Sequence, residues 1–390
     1  MISYKEIKEY IDAHAQEGHD LLVTLARIPA PSNHEEERAE FCRRWLSDQG
    51  AEGVYVDEAL DVIYPIGLES HEKIIVFMAH TDVVFPDMTP LPLVEEEGKI
   101  KCPGVGDDTA NVAALLLAAK YLAGRLAGAE RAAAPLASEY GILLVCNSGE
   151  EGLGNLKGSR AICEAFGDRI EAFYSFDGTF SHLTDRAVGS IRYEVEVKTI
   201  GGHSYGSFGN PNAIAILADI LRELYKQKVP EGGKTTFNVG TIHGGTSVNT
   251  IAQQVSMLYE FRADRRENLD FMERQFKAIL AFYKDKKIDI SVKVLGERPC
   301  EGIVDQIKRE QLLTEAAEVV KKVTGIEPKR GSGSTDCNIP LFKGIPSVCL
   351  GVCAGAGAHT REEYVETDSL VPGYEVALRM ILGYFGGVEG

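Results

Sequence analysis

Short apolar runs bounded by polar residues recur along the chain and predict the buried strands of one sheet. Residues 74–78, 142–146, 173–176 and 346–351 are such runs, and runs of this length are typical of strands covered on both faces. Residues 109–126 are apolar over a longer stretch and predict a helix between the first two strands. Because helices alternate with buried strands, we predict an α/β fold.

The alternation of helices with buried strands stops near residue 188 and resumes near residue 299. Between them, period-two and helical spacings follow in the order strand, helix, strand, strand, helix, strand, which is typical of a ferredoxin-like α+β unit. The six segments are residues 190–199, 211–227, 235–243, 253–263, 267–283 and 287–295. We therefore predict a discontinuous main domain, 1–187 and 299–390, with an inserted domain at 188–298. The alanine-rich segment 127–137 is predicted to be a surface connection.

Histidines and carboxylates follow the predicted strands of the main domain. His80 comes after the first run, Glu150 and Glu151 after the second, Asp177 after the third and His359 in a glycine-rich loop after the last. Open α/β sheets bind ligands beyond the carboxyl ends of their strands. A single histidine beside a turn is usually only solvated, but imidazoles and carboxylates in such a series are the ligands of catalytic metals. The series predicts a two-metal hydrolytic site.

Two further carboxylates, Asp107 and Asp108, follow Gly106 at the start of the predicted helix. One aspartate there would be explained as a helix cap, whereas two in succession favour a site where one carboxylate bridges two cations. The glycines resemble the start of a dinucleotide fingerprint. However, the sixth position is Thr109, and the acids would repel a pyrophosphate. We therefore interpret this turn as part of the metal site.

The adjacent glutamates suggest a division of roles. Neighbouring side chains point in different directions, so Glu151 can bind metal while Glu150 faces the attacking water as a general base. Asp82, two residues after His80, can orient its imidazole, as carboxylates behind metal-bound histidines do. Residues 331–336, rich in glycine and serine, either line the site or form a plain turn between a strand and a helix.

These residues lie in motifs that carry a family resemblance over essentially the whole chain. The motifs are His80-Thr81-Asp82, Gly106-Asp107-Asp108, Gly149-Glu150-Glu151-Gly152, Asp177-Gly178, Gly202-His203-Ser204 and His359-Thr360-Arg361-Glu362-Glu363. In their order and spacing the chain resembles the dinuclear zinc exopeptidases that include peptidase T, aminoacylase, carboxypeptidase G and succinyl-diaminopimelate desuccinylase. In character it is most similar to the peptidase T-like members.

The resemblance implies a fold and a ligand set. The main domain would be the catalytic zinc-exopeptidase domain, a mixed sheet flanked by helices, and the insertion would be a lid that also dimerises. His80 and Asp177 would hold one zinc ion, and Glu151 and His359 would hold the other. Asp107 would bridge the two ions.

The same resemblance implies roles for five other side chains. Glu150 would be the general base, and Asp82 would be the partner behind the first histidine. His203 would reach the active site, commonly that of the other subunit, and polarise the scissile carbonyl. Asn249 and Arg262 match positions that contact polar groups or a carboxylate of the substrate in relatives.

Two positions bear on which member of the family this chain resembles. Many relatives have lysine where this chain has Thr109, although threonine can still start the helix and so leaves the ligand set intact. Relatives with aspartate at the position of Asp177 tend to be aminopeptidases or dipeptidases, and those with glutamate tend to be carboxypeptidases or deacylases. The expected activity is therefore hydrolysis of an amide bond in short peptides.

Alternatives to this activity stay open from the sequence. An N-acyl amino acid deacylase or a carboxypeptidase of the same family would use the same ligands. A non-catalytic ligand-binding protein on this scaffold is the alternative of another class, although it would have no use for a general base. Cobalt or manganese in place of zinc is compatible with the same donors.

Composition adds expectations about partners and location. A net charge of −17 argues against nucleic acid or an anionic membrane as a partner. Eight scattered cysteines in 390 residues favour a reducing cytoplasm, and the amphipathic first residues lack the apolar core of a signal peptide. We expect a cytoplasmic homodimer, joined through the inserted domain, that acts on a short peptide or an N-acyl amino acid.

Overall fold

The computed structural model describes residues 2–128 and 137–386, so most of the predicted connection at 127–137 lies outside the described residues. Within them, the α-helices are α1 (Tyr4–Ala26), α2 (Glu36–Asp48), α3 (Ala110–Leu126), α4 (Lys157–Phe166), α5 (Ala213–Tyr225), α6 (Arg266–Asp285), α7 (Gln306–Thr324), α8 (Asn338–Phe342) and α9 (Leu370–Leu382). The chain divides into two compact units, Met1–Arg186 with Gly302–Gly390, and Ala187–Glu301.

The strands of the described residues follow in chain order. They are β1 (Tyr55–Val56), β2 (Val62–Ile66), β3 (Ile74–His80), β4 (Val94–Glu96), β5 (Lys99–Lys101), β6 (Gly141–Asn147), β7 (Ile170–Phe176), β8 (His182–Ala187), β9 (Gly189–Lys198), β10 (Gly202–His203), β11 (Thr235–Gly244), β12 (Thr250–Ile251), β13 (Gln254–Ala263), β14 (Asp289–Arg298), β15 (Lys329–Gly333), β16 (Ser347–Leu350), β17 (Gly355–Ala356) and β18 (Tyr364–Glu366).

One mixed sheet forms the centre of the first unit, in the order β1-β2-β6-β3-β7-β16-β8-β15. Strands β6, β3, β7 and β16 are parallel to one another, and every residue of β3, β6 and β16 is buried. Strands β2 and β8 pair antiparallel beside them. Helices α2, α3 and α7 pack against β2, β3 and β16. The predicted α/β class, a mixed sheet flanked by helices, is confirmed.

The parallel strands place their carboxyl ends at one edge of this sheet. Strand β3 ends at His80, which pairs in register with Asn147 at the end of β6. Strand β7 ends directly before Asp177. A smaller antiparallel sheet, β17-β18-β5-β4, belongs to the same unit, and His359 lies in the loop between β17 and β18. The side chains of the candidate site thus start from neighbouring strand ends, from one hairpin loop and, for Asp107, from the turn before α3.

The second unit has its own sheet and core. Its sheet order is β11-β13-β9-β14, with antiparallel pairing between neighbours, and helices α5 and α6 pack against it. Alternate residues of β9 and β13 are buried, because one face of the sheet carries the two helices. The order βαββαβ is the one that the sequence pattern predicts for the ferredoxin-like unit.

The length and the apolar composition of a helix determine whether it can cross a membrane. Among the described residues, no helix combines the length and the apolar composition that crossing a membrane requires.

Candidate metal centre

Two imidazoles face one carboxylate beyond the central strands. His80 is buried at the end of β3, and its Nε2 lies 3.1 Å from Oδ1 of Asp107. His359 places its Nε2 3.1 Å from the other carboxylate oxygen, Oδ2, of the same aspartate. Asp107 therefore presents one oxygen to each histidine.

Three groups of potential ligands meet around this carboxylate. In each group, three side chains offer ligand atoms that all lie within 4.8 Å of one another. The groups are His80 with Asp107 and Asp177, His80 with Glu150 and Glu151, and Asp107 with Glu151 and His359. Within the third group, Nε2 of His359 lies 2.9 Å from Oε1 of Glu151. The fold thus brings together side chains that the sequence separates by up to 279 positions, from residue 80 to residue 359.

Carboxylates outnumber imidazoles in this centre, and burial makes their repulsion strong. Burial and the charge of Asp107 raise the pKa of Asp177 to about 8. Burial acts in the same direction on Asp107, but its hydrogen bonds to His359 and His80 hold its pKa well below the usual range. Hydrogen bonds to Asp107 and Glu151 raise the pKa of His359 to about 10. Divalent cations among these oxygen and nitrogen donors would relieve the repulsion, so the donor set fits a metal centre.

The two glutamates lie in the turn after β6, and Asp82 holds that turn. Oδ1 of Asp82 accepts the backbone N–H of Glu150 and Oδ2 that of Glu151, both at 2.9 Å. Oδ2 also accepts from the Ser32 hydroxyl at 2.7 Å. Behind the first histidine, Nδ1 of His80 lies 3.1 Å from the backbone oxygen of Asp82 and 3.5 Å from Oδ1. Asp82 therefore lies behind His80 and also fixes the backbone of both glutamates.

The second aspartate of the pair has a different role from the first. Asp108 belongs to none of the three groups, because its Oδ2 accepts the backbone N–H of His80 at 2.9 Å and its Oδ1 accepts from Asn111. Helix α3 begins at Ala110, one residue later than predicted. The Thr109 hydroxyl does not cap it, because that hydroxyl donates to the carbonyl of Gly104 at 2.6 Å.

Residues 331–336 span the end of β15 and the turn that leads into α8. In this turn Asp336 is buried, and its Oδ2 accepts from Nδ2 of Asn147 at 2.6 Å. Burial and the nearby charge of Glu150 raise the pKa of Asp336 well above its usual value. The turn therefore contributes a buried carboxyl group close to the candidate base.

Three predicted residues lie in the second unit. His203 and Asn249 are brought together, because β10 pairs with β12 and the carbonyl of Asn249 accepts the N–H of Ser204 at 3.0 Å. Nδ1 of His203 accepts the backbone N–H groups of Tyr205 and Gly206, each at 3.2 Å. The imidazole is exposed.

Arg262 lies elsewhere in that unit, on β13. Its Nε and Nη2 donate to the two carboxylate oxygens of Glu260 at 3.0 and 3.1 Å. The guanidinium is therefore already paired within its own strand.

Several buried charged residues that the sequence pattern does not single out support the centre. Glu35 accepts the N–H of Gly149 at 3.0 Å and pairs with Lys157 at 2.8 Å. Arg38 and Glu363 are likewise buried and bonded to loops of the site. Only Glu363 had a signal, since it ends the motif that begins at His359. The others carry no local pattern that distinguishes them from solvated charges.

The sequence profile of peptidase family M20/M25/M40 matches residues 76–383. The chain belongs to this family. It is 25% identical over 383 residues to the uncharacterized protein YqjE of Bacillus subtilis. The alignment covers 92% of this chain and 95% of YqjE. Membership of the M20/M25/M40 peptidases makes the chain a metal-binding hydrolase of this family.

Solved structures show the same fold. A dipeptidase from Saccharomyces cerevisiae aligns with a TM-score of 0.75 at 16% identity, covering 97% of this chain and 98% of its own. A tripeptidase from Staphylococcus aureus aligns with a TM-score of 0.72 at 20% identity, covering 94% and 98%. The M20 fold is therefore present over nearly the whole chain.

Proposed function

We propose that this protein is a two-zinc exopeptidase that cleaves an amide bond in short peptides with a free amino terminus. The observation that carries the proposal is the position of Asp107, whose two oxygens face two histidines at 3.1 Å each. A carboxylate placed in this way is suited to bridging two cations. Similarity to a dipeptidase and a tripeptidase supports short peptides as the substrate class.

Two of the three ligand groups support the proposed division of the ligands. His80 and Asp177 share one group with Asp107, and Glu151 and His359 share another with it. These are the two sets that the sequence resemblance assigns to separate ions. Zinc is the proposed metal because nitrogen and oxygen donors of this kind suit it, and cobalt and manganese are the other ions to be tested.

Glu150 is the proposed general base. Bound divalent cations would supply Lewis-acid polarisation of the scissile carbonyl and acidify the attacking water. Glu150 is buried beside the ligand Glu151 and has its backbone held by Asp82, so its carboxylate can take the proton of that water without leaving the site. The same carboxyl group would then donate the proton to the departing amine.

His203 is the proposed donor to the developing oxyanion. Because its Nδ1 accepts two backbone N–H groups, the neutral imidazole must carry its proton on Nε2, which is then free to donate to a substrate oxygen. We propose that it does so in the partner of a homodimer joined through the inserted domain. Tyr205 and Phe208, on the same loop, are 89% and 91% exposed, and apolar side chains so exposed favour a surface that a partner covers.

A reducing cytoplasm is the proposed location. All eight cysteines are buried free thiols, which suits a compartment where disulfides do not form.

The proposed activity is tested with matched pairs of short peptides, one with a free amino terminus and one N-acetylated. Zinc-loaded protein should cleave the free peptides faster, and Glu150→Gln should bind zinc normally but lose activity by several orders of magnitude. Initial rates and zinc content of both proteins are the measurements.

Each other outcome points to a specific alternative. Preference for the acetylated set would move the assignment to a deacylase or carboxypeptidase. Failure to cleave either set, with zinc bound, would favour a ligand-binding protein. Near-normal turnover by Glu150→Gln would refute the role of the base.

A further inference from the structure

Glu363 is a buried glutamate near the centre to which the proposed mechanism gives no role. It lies four residues after His359, directly before β18, and its relative exposure is 2%. Burying a carboxylate in a protein interior is unfavourable unless hydrogen bonds compensate for the lost water. The partners of this side chain therefore indicate what it does.

Three backbone N–H groups of one turn converge on the Glu363 carboxylate. Oε2 accepts from Gly104 at 2.6 Å, and Oε1 accepts from Gly106 and from Asp107 at 2.8 Å each. Burial raises the pKa of Glu363 to about 7, and the three N–H groups oppose this rise because they favour the ionised form. The carboxylate thus fixes the backbone of the turn up to the residue that carries the proposed bridging ligand.

The turn is shaped to receive this carboxylate. A methyl group at Gly106 would lie 3.3 Å from Oε1 of Glu363 and 3.2 Å from Val365, so the absence of a side chain permits the close approach. Gly104 has a φ of 77°, a left-handed conformation that glycine adopts without strain.

Glu363 is itself fixed from the opposite side. Its carbonyl accepts the N–H of Cys102 at 3.1 Å, and the following residue, Tyr364, pairs with Lys101 of β5. The same segment carries His359. One glutamate therefore connects the loop of one proposed ligand to the turn of another.

We infer that Glu363 is a positioning residue that holds Asp107 where its two oxygens reach both histidines before any cation binds. The inference rests on the proposed function, because it takes Asp107 as a metal ligand. Without this carboxylate, zinc binding would have to order the turn, and part of the binding free energy would be lost. Mutation of a residue that positions a metal ligand typically lowers metal affinity by about 10- to 100-fold.

The test compares Glu363→Gln with Glu362→Gln, which makes the same chemical change at the exposed neighbouring position. Glutamine replaces one accepting oxygen with an N–H₂ group that faces backbone donors. We expect zinc affinity, measured by competition with a chelating indicator, to fall about 10- to 100-fold for Glu363→Gln and to stay unchanged for Glu362→Gln. Excess zinc should restore the activity of Glu363→Gln.

The thermal midpoint of the metal-free proteins separates positioning from a purely structural role. A lower midpoint with wild-type zinc affinity would overturn the inference, and so would failure of excess zinc to restore activity. If Glu363→Gln does not fold, Gly106→Ala disturbs the same contact without changing charge and should also weaken zinc binding. If the wild-type protein binds no zinc, the proposed function itself is refuted. Zinc binding by the wild-type protein is therefore measured before the variants are compared.

Discussion

At the residue scale, buried carboxylates hold the backbone of the loops that carry the candidate ligands. Asp82 accepts the N–H groups of both glutamates, Asp108 that of His80 and Glu35 that of Gly149. A carboxylate can accept several N–H bonds at once, which makes it an effective anchor for a tight turn. Some of the acidic residues of the chain therefore stabilise the loops of the site and are not part of the protein surface.

Asp61 belongs to this set of residues, and its buried carboxyl group should make the stability of the protein depend on pH. Its Oδ1 accepts the N–H of Ser148 at 2.9 Å, while its Oδ2 has no hydrogen-bond partner within the described part of the chain. Burial, assisted by the charge of Asp57, raises the pKa of Asp61 to about 8. The folded protein therefore retains a proton that the unfolded chain releases near pH 4.

This difference predicts the behaviour of Asp61→Asn. Because the folded state binds the extra proton, the contribution of Asp61 to stability is largest below about pH 4 and is lost as pH rises to about 8, by up to about 1.4 kcal/mol per unit. Asparagine does not titrate, so the variant should gain stability relative to the wild type between pH 5.5 and pH 7.5. Urea unfolding of both metal-free proteins measures the difference. Parallel pH dependences would contradict the prediction.

At the scale of elements, one buried arginine joins helices to the central sheet. Arg38 of α2 donates through Nη1 to the carbonyl of Thr81, just after β3, at 2.8 Å. Its Nη2 donates to the carbonyl of Leu25, in the last turn of α1, at 2.9 Å, and to that of Ile28, two residues after α1, at 2.7 Å. Burial lowers the pKa of this guanidinium to about 10, so it stays charged at neutral pH. The donor nitrogens of Arg38 therefore connect α2 with the end of α1 and the end of β3, next to His80.

Arg38→Lys tests the importance of this connection. Lysine keeps the charge, but its single nitrogen cannot reach carbonyls on both sides, and each lost bond from a charged donor is worth about 1.5 to 3 kcal/mol. We expect a loss of about 3 kcal/mol in the free energy of unfolding. Arg43→Lys, on the same helix at a partly exposed site, should change it by less than about 0.5 kcal/mol. Equal effects of the two substitutions in urea unfolding would show that the fork has no special role.

At the scale of the whole molecule, the two units have separate cores. The core of the second unit is built from the inward faces of β9 and β13 with apolar residues of α5 and α6. Its first and last strands are neighbours, since Ser190 of β9 pairs with Arg298 of β14. An insertion whose ends lie side by side can leave and re-enter another domain without disturbing it.

We therefore predict that residues 187–301 fold on their own. The isolated fragment should show a mixed α/β circular dichroism spectrum and one cooperative thermal transition, because its core is complete within the fragment. Phe261→Asp places a charge in that core, where Phe261 is fully buried, and should abolish the transition. A wild-type fragment without cooperative unfolding would contradict the prediction.

The central strands β3, β6, β7 and β16 and most of the candidate ligands were predictable because their signals are local. The apolar run at 74–78 lies within β3, which extends only to His80, and the order of elements in the second unit follows from periodicity alone. A residue at the end of a buried strand, or in the loop just beyond it, must lie at the edge of the sheet. For this reason His80, Glu150, Glu151 and Asp177 could be named without coordinates.

The fold class and the candidate donors therefore follow from local sequence patterns, whereas the way those donors are held depends on contacts between distant segments. The bond from Gly104 to Glu363 joins residues 259 positions apart, and the bond from Arg38 to Thr81 spans 43. Contacts of this kind have no period and no fixed spacing, because they depend on how separate elements pack. Only the folded chain shows that Asp107 turns one oxygen toward each histidine while Asp108 turns back to the sheet.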